Sequence, residues 1–459
     1  MAPPDRDPAP DGTRGKYYIL TWGCQMNVHD SEKLAGTLEE QGYRQARGAQ
    51  DADVILLNTC AVREKAAEKV FSALGRLRPF KLRNPDLVLG VCGCVAQQEG
   101  ERIYQRAPHV DLVLGPRATG TLPLALPRAR SAGEPLRITD TEVRDDSIRF
   151  PFERIRRQGT SPAKAYTTIV EGCNHACTFC IVPRTRGRES YRDSQDVLAE
   201  VRHLAGRGVV EIEFLGQTVN AYRDAAGTTL ADLLCSTAEI DGIERIRFTT
   251  SHPAQMTDRL MDAMAAAQPK VCPYLHLPVQ SGASSVLKTM KRGYDREGYL
   301  RKVEGLRRRI PDLSLGTDVI VGFPTEREED FQETLSLLDE VRFDTVFAYT
   351  YSSRPGTAAA DLADPVPELE KLDRLRRLQA RQQEIQEDRN RQWVGREVQV
   401  LVEGPSKRDP GAWCGRTSDN RVVNFSGSTA PGRLQNVRIR ASSAYALRGE
   451  IPPAALDLR

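Results

Sequence analysis

The sequence of 459 residues has no long apolar run. Its first residues, MAPPDRDPAPDGTRG, are rich in proline, aspartate and glycine, and no later segment is long and apolar enough to span a bilayer. A charge excess is also missing, because 65 Lys and Arg stand against 62 Asp and Glu. These absences argue against a membrane protein, an exported protein and a uniformly basic nucleic-acid binder. We expect a cytoplasmic protein without membrane contact, in which any basic surface is local.

Cysteine is present, with ten residues in the chain. In a cytoplasmic protein of this size they are expected to be ligands or core residues, because the compartment is reducing. Cys173, Cys177 and Cys180 lie together in CNHACTFC, with no fourth cysteine close by. A zinc loop would need another ligand, for which His175 is the nearest candidate, and an unused cysteine cluster is also open. Three thiolates on a four-iron cluster fit better, because they leave one iron free for a cofactor or substrate.

A second set of cysteines is spread along the first part of the chain. Cys24, Cys60 and Cys94 each end a predicted parallel strand, so the three thiols are expected to converge at one carboxyl edge of a sheet. Taken singly, each could equally be a small apolar filler of the core. Cys92, two residues before Cys94, has the alternating position of a strand residue in LVLGVCGC. The pattern therefore predicts a second site with three thiolate ligands.

The fold class predicted from the alternation of strands and helices is α/β. The first series indicates a parallel α/β domain, and the second has six βα units that are typical of a partial (βα)6 barrel. An open doubly wound sheet remains the alternative for the second series, since periodicity does not separate the two. The last residues form short β-patterned runs typical of a small all-β barrel. The predicted boundaries are a disordered tail at 1–14, the first domain at 15–130, a linker at 131–160, the barrel at 161–393 and the β domain at 394–459.

Eight ordered blocks of the sequence resemble a known family over nearly the whole chain. The spacing C-x3-C-x2-C after the first barrel strand resembles the radical S-adenosylmethionine superfamily, and the complete set resembles the MiaB family of tRNA methylthiotransferases. The last block resembles a TRAM domain, a barrel associated with RNA. The blocks are GCQMN, NTCAVREKAAEKV, GCVAQ, EGCNHACTFCIVPRTRGRE, TSHP, HLPVQSG, DVIVGFPTE and GRTSDNRVVNF.

The resemblance implies two [4Fe-4S] clusters and S-adenosyl-L-methionine as cofactors. Cys173, Cys177 and Cys180 would hold the cluster whose open iron binds S-adenosylmethionine, and Cys24, Cys60 and Cys94 would hold the second. The implied reaction is methylthiolation of N6-dimethylallyladenosine at position 37 of tRNA. Its implied partners are tRNA, an external electron donor such as a flavodoxin or ferredoxin system, and a sulfur donor. Threonylcarbamoyladenosine in tRNA, a ribosomal-protein aspartate, or a non-catalytic iron–sulfur RNA-binding protein remain as alternatives.

Further candidate site residues follow from their positions. Polar residues near barrel strand ends are interpreted as cofactor contacts, although a structural hydrogen bond to a loop is equally open for each. They are Gln217, Asn220, Ser251, Gln280 and Asp318. The candidate RNA contacts in the β domain are Lys407, Arg408, Arg416, Arg421 and Phe425. Arginines that could extend this basic track, or be ordinary surface charges, are Arg154, Arg156, Arg157, Arg184, Arg186 and Arg188.

Overall fold

A computed structural model of the chain describes residues 13–61, 65–131, 137–144, 148, 150–157 and 162–453. Residues 1–12, most of the predicted tail, lie outside the described residues. The described chain forms a six-stranded sheet, two three-stranded sheets that follow one another, and a closed five-stranded barrel, besides a small two-stranded sheet. The predicted α/β class with an all-β C-terminal barrel is confirmed. Within this described part, no helix is long and apolar enough to cross a membrane.

The first unit is a parallel sheet with the strand order β2-β1-β3-β4-β5-β6. Its central strands are buried along their whole length, as expected where helices cover both faces. Successive side chains of β3 enter opposite layers, so that Ile55 and Leu57 belong to one core and Val54 and Leu56 to the other. β6 lies within residues 131–160, the predicted linker. The elements are β1 (Gly15–Trp22), α1 (Gln25–Glu40), β2 (Tyr43–Gln45), β3 (Val54–Thr59), α2 (Lys65–Arg83), β4 (Val88–Gly93), α3 (Cys94–Glu99), α4 (Arg102–Arg106), β5 (Leu112–Leu114), α5 (Leu122–Ser131) and β6 (Ile138–Asp140).

The second unit has its main strands in the order of the sequence. One parallel sheet is β7-β10-β11 and the next is β12-β13-β14, and a parallel bridge between Ile246 and Val271 continues the wall between them. A doubly wound sheet would reverse direction at a switch point, so the sequential order identifies a partial barrel. The first elements are β7 (Lys164–Thr168), β8 (Val170–Glu171), α6 (Val182–Arg186), β9 (Ser190–Tyr191), α7 (Ser194–Gly206), β10 (Glu211–Leu215), α8 (Leu230–Ala238) and β11 (Arg245–Phe248). They are followed by α9 (Asp258–Ala266), β12 (Tyr274–His276), α10 (Ser284–Thr289), α11 (Arg296–Arg309), β13 (Ser314–Val321), α12 (Glu328–Val341) and β14 (Thr345–Thr350).

A long helix, α13 (Glu368–Arg391), packs against β14 and leads into the C-terminal barrel. That barrel closes in the order β15-β16-β17-β19-β18 around a small core of valines, Phe425, Ile439 and Leu447. It is docked on the partial barrel because Arg245 and Arg247 donate hydrogen bonds to backbone carbonyls of its strands and turn. Its strands are β15 (Glu397–Pro405), β16 (Trp413–Thr417), β17 (Val422–Ser426), β18 (Leu434–Ser442) and β19 (Leu447–Glu450).

Candidate active site between two sets of cysteines

The first set of cysteines lies at the carboxyl edge of the N-terminal sheet. In the register of the three central strands, Trp22 is opposite Thr59 and Thr59 is opposite Gly93. Cys60 and Cys94 follow this line by one residue and Cys24 follows it by two. The parallel register therefore brings together three thiols that are far apart in the sequence, as the strand-end pattern predicted.

Two asparagines that sequence reasoning missed shape the turn before α1. The side-chain oxygen of Asn27 accepts hydrogen bonds from the backbone N–H of Cys24 (3.4 Å) and from its thiol (3.5 Å). Asn58, which is fully buried, donates to the backbone carbonyl of Asn27 (2.9 Å) and to Ser31 Oγ (2.9 Å). Asn27 ends the block GCQMN and Asn58 begins the block NTCAVREKAAEKV, so the closeness of each asparagine to a cysteine was the sequence signal that could have identified them. They fix the direction of the Cys24 thiol.

The electrostatic environment of these thiols is uneven. A hydrogen bond from the Cys60 thiol lowers the pKa of Cys24 to about 6, so the Cys24 thiolate is readily available as a ligand. Burial raises the pKa of Cys94, although the nearby Arg186 guanidinium opposes that shift. Cys92 belongs to the opposite core layer and burial raises its pKa to about 12. Of Cys92 and Cys94, only Cys94 lies on the face of the sheet where Cys24 and Cys60 are.

The second set of cysteines occupies the loop between β8 and α6. Cys173 Sγ lies 3.2 Å from Thr218 Oγ1, and Arg292 Nη1 donates a hydrogen bond to Cys177 Sγ over 3.2 Å. Burial raises the pKa of Cys180 to about 12. Gly172, at φ +85°, turns the chain into this loop. Two of the three thiols are thus held by side chains from later loops of the barrel.

The donor sets fit a multi-iron cluster better than a single ion. Across the described ranges, no three His, Cys, Asp or Glu side chains converge on one point as the ligands of a single ion do. The His175 ring, the candidate fourth zinc ligand, is stacked on His252 with ring centroids 3.8 Å apart and planes 12° apart. In a four-iron cluster each thiolate binds its own iron, so three spaced thiols per site suit it.

The predicted cofactor contacts divide into two groups. Gln217 and Asn220 hold loops: Gln217 accepts from the backbone N–H of Gly172 over 2.5 Å, and Asn220 exchanges two hydrogen bonds with the backbone of His252. Both residues thus have the structural hydrogen bonds that the sequence left open, and their contact with a cofactor stays a prediction. Ser251 is buried, and its hydroxyl has no hydrogen-bond partner among the residues that the structure describes.

Gln280 and Asp318, in contrast, line a cavity. Gln280 has φ +81°, a left-handed conformation unusual for a residue with a Cβ, and it is fixed by backbone hydrogen bonds to Asp318 and Ile320. Such a conformation is retained where the surrounding structure holds it, often at functional sites. Asp318 Oδ1 lies 3.2 Å from His276 Nε2. These two residues remain candidates for cofactor contact.

The cavity has a volume of ≈ 540 Å³ and is bounded by both cysteine-bearing units. Cys60 opens onto it from the N-terminal sheet and Cys180 from the barrel. Its size is in the range of small-molecule sites. Sequence reasoning did not assign its other walls, because they come from distant segments. They include Trp22, Lys69, Phe179, Ile320, Tyr349, Tyr351, Arg354 and Leu375.

The predicted RNA contacts also divide, and two of them are corrected. Lys407 and Arg408 are exposed after β15, and Arg416 is half-buried with Glu403 at 3.2 Å. Phe425 is 1% exposed in the barrel core, so it has no face on which a base could stack. Arg421 is buried and pairs with Asp344 of the partial barrel and with Asp419. Because both of these ion pairs are buried, Arg421 joins the C-terminal barrel to the partial barrel and is not available to bind a phosphate.

Three family models match successive parts of the chain. They are the uncharacterized protein family UPF0004 over residues 16–115, the radical SAM superfamily over residues 167–338 and the TRAM domain over residues 391–451. Among solved structures, the chain is similar to the radical S-adenosylmethionine methyltransferase TsrM from Kitasatospora setae. The TM-score is 0.55 at 14% identity, with 75% of this chain and 77% of that chain covered, which shows a shared fold.

Curated relatives match the chain almost from end to end. The chain is 48% identical over 448 residues to the tRNA-2-methylthio-N(6)-dimethylallyladenosine synthase of Bordetella bronchiseptica, with 95% of this chain and 92% of the relative covered. It is 46% identical to the protein of the same name from Hahella chejuensis, with 95% and 98% covered. Identity at this level over the full architecture shows common membership, and the chain belongs to the family of tRNA-2-methylthio-N(6)-dimethylallyladenosine synthases.

Proposed function

We propose that the chain methylthiolates N6-dimethylallyladenosine at position 37 of tRNA by radical S-adenosylmethionine chemistry. The observation that carries this proposal is the cavity that Cys60 and Cys180 both line. A reaction that needs both a radical and a sulfur atom at one carbon requires two such centres to face the same space. The names of relatives 48% identical over 95% of the chain support the substrate.

The six cysteines are proposed to hold two [4Fe-4S] clusters, one per set. The cluster held by Cys173, Cys177 and Cys180 would supply one-electron reduction of S-adenosylmethionine, and the cluster held by Cys24, Cys60 and Cys94 would supply a site for sulfur. Arg292 and Thr218 hold the Cys177 and Cys173 thiols in place. Gln280 and Asp318 are the residues proposed to bind S-adenosylmethionine, since both are polar and line the cavity.

The chain's own contribution to substrate binding is proposed to be a pocket for one nucleoside. The target adenosine must flip out of the base stack of the anticodon loop to enter a cavity of this size. Tyr349 and Trp22 offer aromatic surface for the base, and Ile320 and Leu375 offer apolar surface for the dimethylallyl group. Lys407 and Arg408, which are exposed on the C-terminal barrel, are proposed to bind phosphates of the same tRNA.

Two further partners belong to the proposal. An external one-electron reductant such as a flavodoxin or ferredoxin system, and a donor that replaces the inserted sulfur, are required by the stoichiometry of the reaction. The proposed location is the cytoplasm, where tRNA is modified.

The test uses anaerobically reconstituted enzyme with reductant, S-adenosylmethionine and tRNA that carries N6-dimethylallyladenosine. Wild type is expected to release 5′-deoxyadenosine and to give the 2-methylthio nucleoside by mass spectrometry. Cys177→Ala is expected to abolish both products, whereas Cys94→Ala is expected to retain 5′-deoxyadenosine and lose the methylthio product. Cys92→Ala is the matched control, because its side chain belongs to the opposite core layer.

Other outcomes point to the alternative functions. Release of 5′-deoxyadenosine with unchanged tRNA would redirect the search to threonylcarbamoyladenosine tRNA or to the ribosomal-protein aspartate. Absence of 5′-deoxyadenosine from a sample that contains both clusters would leave a non-catalytic iron–sulfur RNA-binding protein.

A further inference from the structure

Arg186 is a buried cation at the junction of the first two units. It is the last residue of α6, only 2% of it is exposed, and its Nη2 donates to Asp30 Oδ2 over 2.6 Å. Its other terminal nitrogen, Nη1, is also buried and has no hydrogen-bond partner among the described residues. This placement corrects the interpretation of Arg186 as part of a surface track for RNA. An unpaired buried donor destabilises the folded chain, so its retention calls for a partner.

Arg186 lies beside α1 and α3, the two helices that begin next to or at the cysteines Cys24 and Cys94. Asp30, its ion-pair partner, lies on α1, which begins directly after Cys24. α6 packs against α3, whose first residue is Cys94. The guanidinium charge also contributes to the lowered pKa of Cys24 and opposes the rise in the pKa of Cys94 that burial causes. Arg186, a residue of the partial barrel, thus lies beside the cysteine set of the N-terminal unit, Cys24, Cys60 and Cys94, which we call the N-terminal sulfur centre.

We propose that Arg186 is a positioning residue of the N-terminal sulfur centre, to which its unpaired Nη1 donates a hydrogen bond at a sulfur atom. Asp30 holds the guanidinium so that this nitrogen is fixed. The proposal rests on the proposed function, because it requires Cys24, Cys60 and Cys94 to hold a four-iron cluster. Hydrogen bonds and positive charge near cluster sulfur stabilise the more negative, reduced state and raise the reduction potential.

The experiment isolates this centre in the full-length chain by changing Cys173, Cys177 and Cys180 to alanine. The iron content per chain and the midpoint potential are then compared for the parent chain, which keeps Arg186, and for its variants Arg186→Gln and Arg186→Lys. The midpoint potential is measured by electron paramagnetic resonance. We expect Arg186→Gln to retain iron and to shift the potential to a more negative value. Arg186→Lys is expected to keep a potential close to that of the parent chain, because it keeps the positive charge.

Two controls separate this effect from damage to the fold. Arg117→Gln removes another buried arginine of the same junction, 3.9 Å from Glu171, and should leave the potential unchanged. The double variant Arg186→Gln/Asp30→Asn removes the ion pair as a unit, which avoids an unpaired buried carboxylate. It should show a smaller negative shift than Arg186→Gln, because the loss of the Asp30 charge offsets part of the loss of the guanidinium charge.

The opposing results are distinct. An unchanged potential in Arg186→Gln with full iron, or an equal shift in Arg117→Gln, would overturn the role of Arg186. Absence of a cluster from the chain that keeps Arg186, Cys24, Cys60 and Cys94 would overturn the proposed function first and this inference with it.

Discussion

At the scale of single residues, Gly172 determines how the chain enters the loop of Cys173, Cys177 and Cys180. A Cβ at this position would overlap the backbone carbonyl oxygen of Arg188, and φ is +85°. We expect Gly172→Ala to displace Cys173 and to lose about four irons per chain together with 5′-deoxyadenosine formation. Iron analysis and product assay after anaerobic reconstitution measure both effects.

Gly227 provides the matched control for Gly172. It has the same φ of +85°, but a Cβ there would meet no atom within 4 Å in the described structure. Gly227→Ala therefore carries the backbone strain, about 1–2 kcal/mol, without the overlap. If both variants lost iron equally, strain alone would explain the result and the steric argument for Gly172 would be wrong.

Asn58 is expected to stabilise the turn that carries Cys24. Asn58→Ala removes the donor to the Asn27 carbonyl and to Ser31, and leaves the Asn27 side chain without one partner. We expect a loss of about 1–3 kcal/mol in the free energy of unfolding of the apoprotein. Iron at the N-terminal centre should fall while 5′-deoxyadenosine formation continues. Loss of 5′-deoxyadenosine as well would contradict a local role in the first unit.

The residues that could be predicted from sequence differ physically from those that could not. The meeting of Cys24, Cys60 and Cys94 at one sheet edge could be predicted because strand ends are local features and a parallel register aligns those ends. Arg421 and Phe425 were misread because exposure is a tertiary property: Asp344, the partner of Arg421, is 77 residues away. The roles of Asn27 and Asn58 could not be read from the sequence, because their hydrogen bonds to each other form only when α1 packs beside β3.

At the scale of elements, α13 is attached to the barrel by a buried ion pair. Arg374 Nη1 donates to Glu326 Oε1 over 2.8 Å, and both side chains are almost completely buried. Arg374→Met would leave the Glu326 carboxylate buried without this cation. We expect a loss of about 3–5 kcal/mol in the free energy of unfolding, measured by denaturant titration of the apoprotein.

The same helix provides a control at its exposed face. Arg381 pairs with Asp339 over 2.5 Å and with Glu384, but these side chains are 40% to 66% exposed. Exposed pairs contribute less than about 1 kcal/mol, so Arg381→Met should be nearly neutral. An equal effect of the two substitutions would show that burial does not decide the strength of these pairs.

At the scale of the whole molecule, buried polar contacts set the relative positions of the units. The N-terminal unit meets the barrel through Lys33 with Glu171 at 3.5 Å and through His29 with Thr168 at 2.6 Å. Two centres that act on one substrate atom must keep a fixed separation, which such contacts provide. The C-terminal barrel is held in a comparable way by Arg421, whose Nη1 donates to Ser314 and whose guanidinium lies 4.8 Å from the Trp393 ring.

Arg421 and the exposed pair Lys407 and Arg408 should therefore respond differently to substitution. Arg421→Ala removes the buried cation that pairs with Asp419, while Asp344 keeps Arg389 at 2.7 Å, and we expect a loss of about 3 kcal/mol in the stability of domain docking. A calorimetric scan should show the C-terminal barrel unfolding as a separate transition at lower temperature. The salt dependence of tRNA binding should keep the wild-type slope, because no phosphate contact is removed.

The double variant Lys407→Ala/Arg408→Ala tests the opposite behaviour. Both side chains are exposed, so the calorimetric scan should stay unchanged. Each lost phosphate contact reduces the slope of log affinity against log salt by about 1, so a reduction of about 2 is expected in filter-binding titrations. If instead Arg421→Ala reduced the slope and left the scan unchanged, Arg421 would be an RNA contact. The ion pairs with Asp344 and Asp419 would then have to open when tRNA binds.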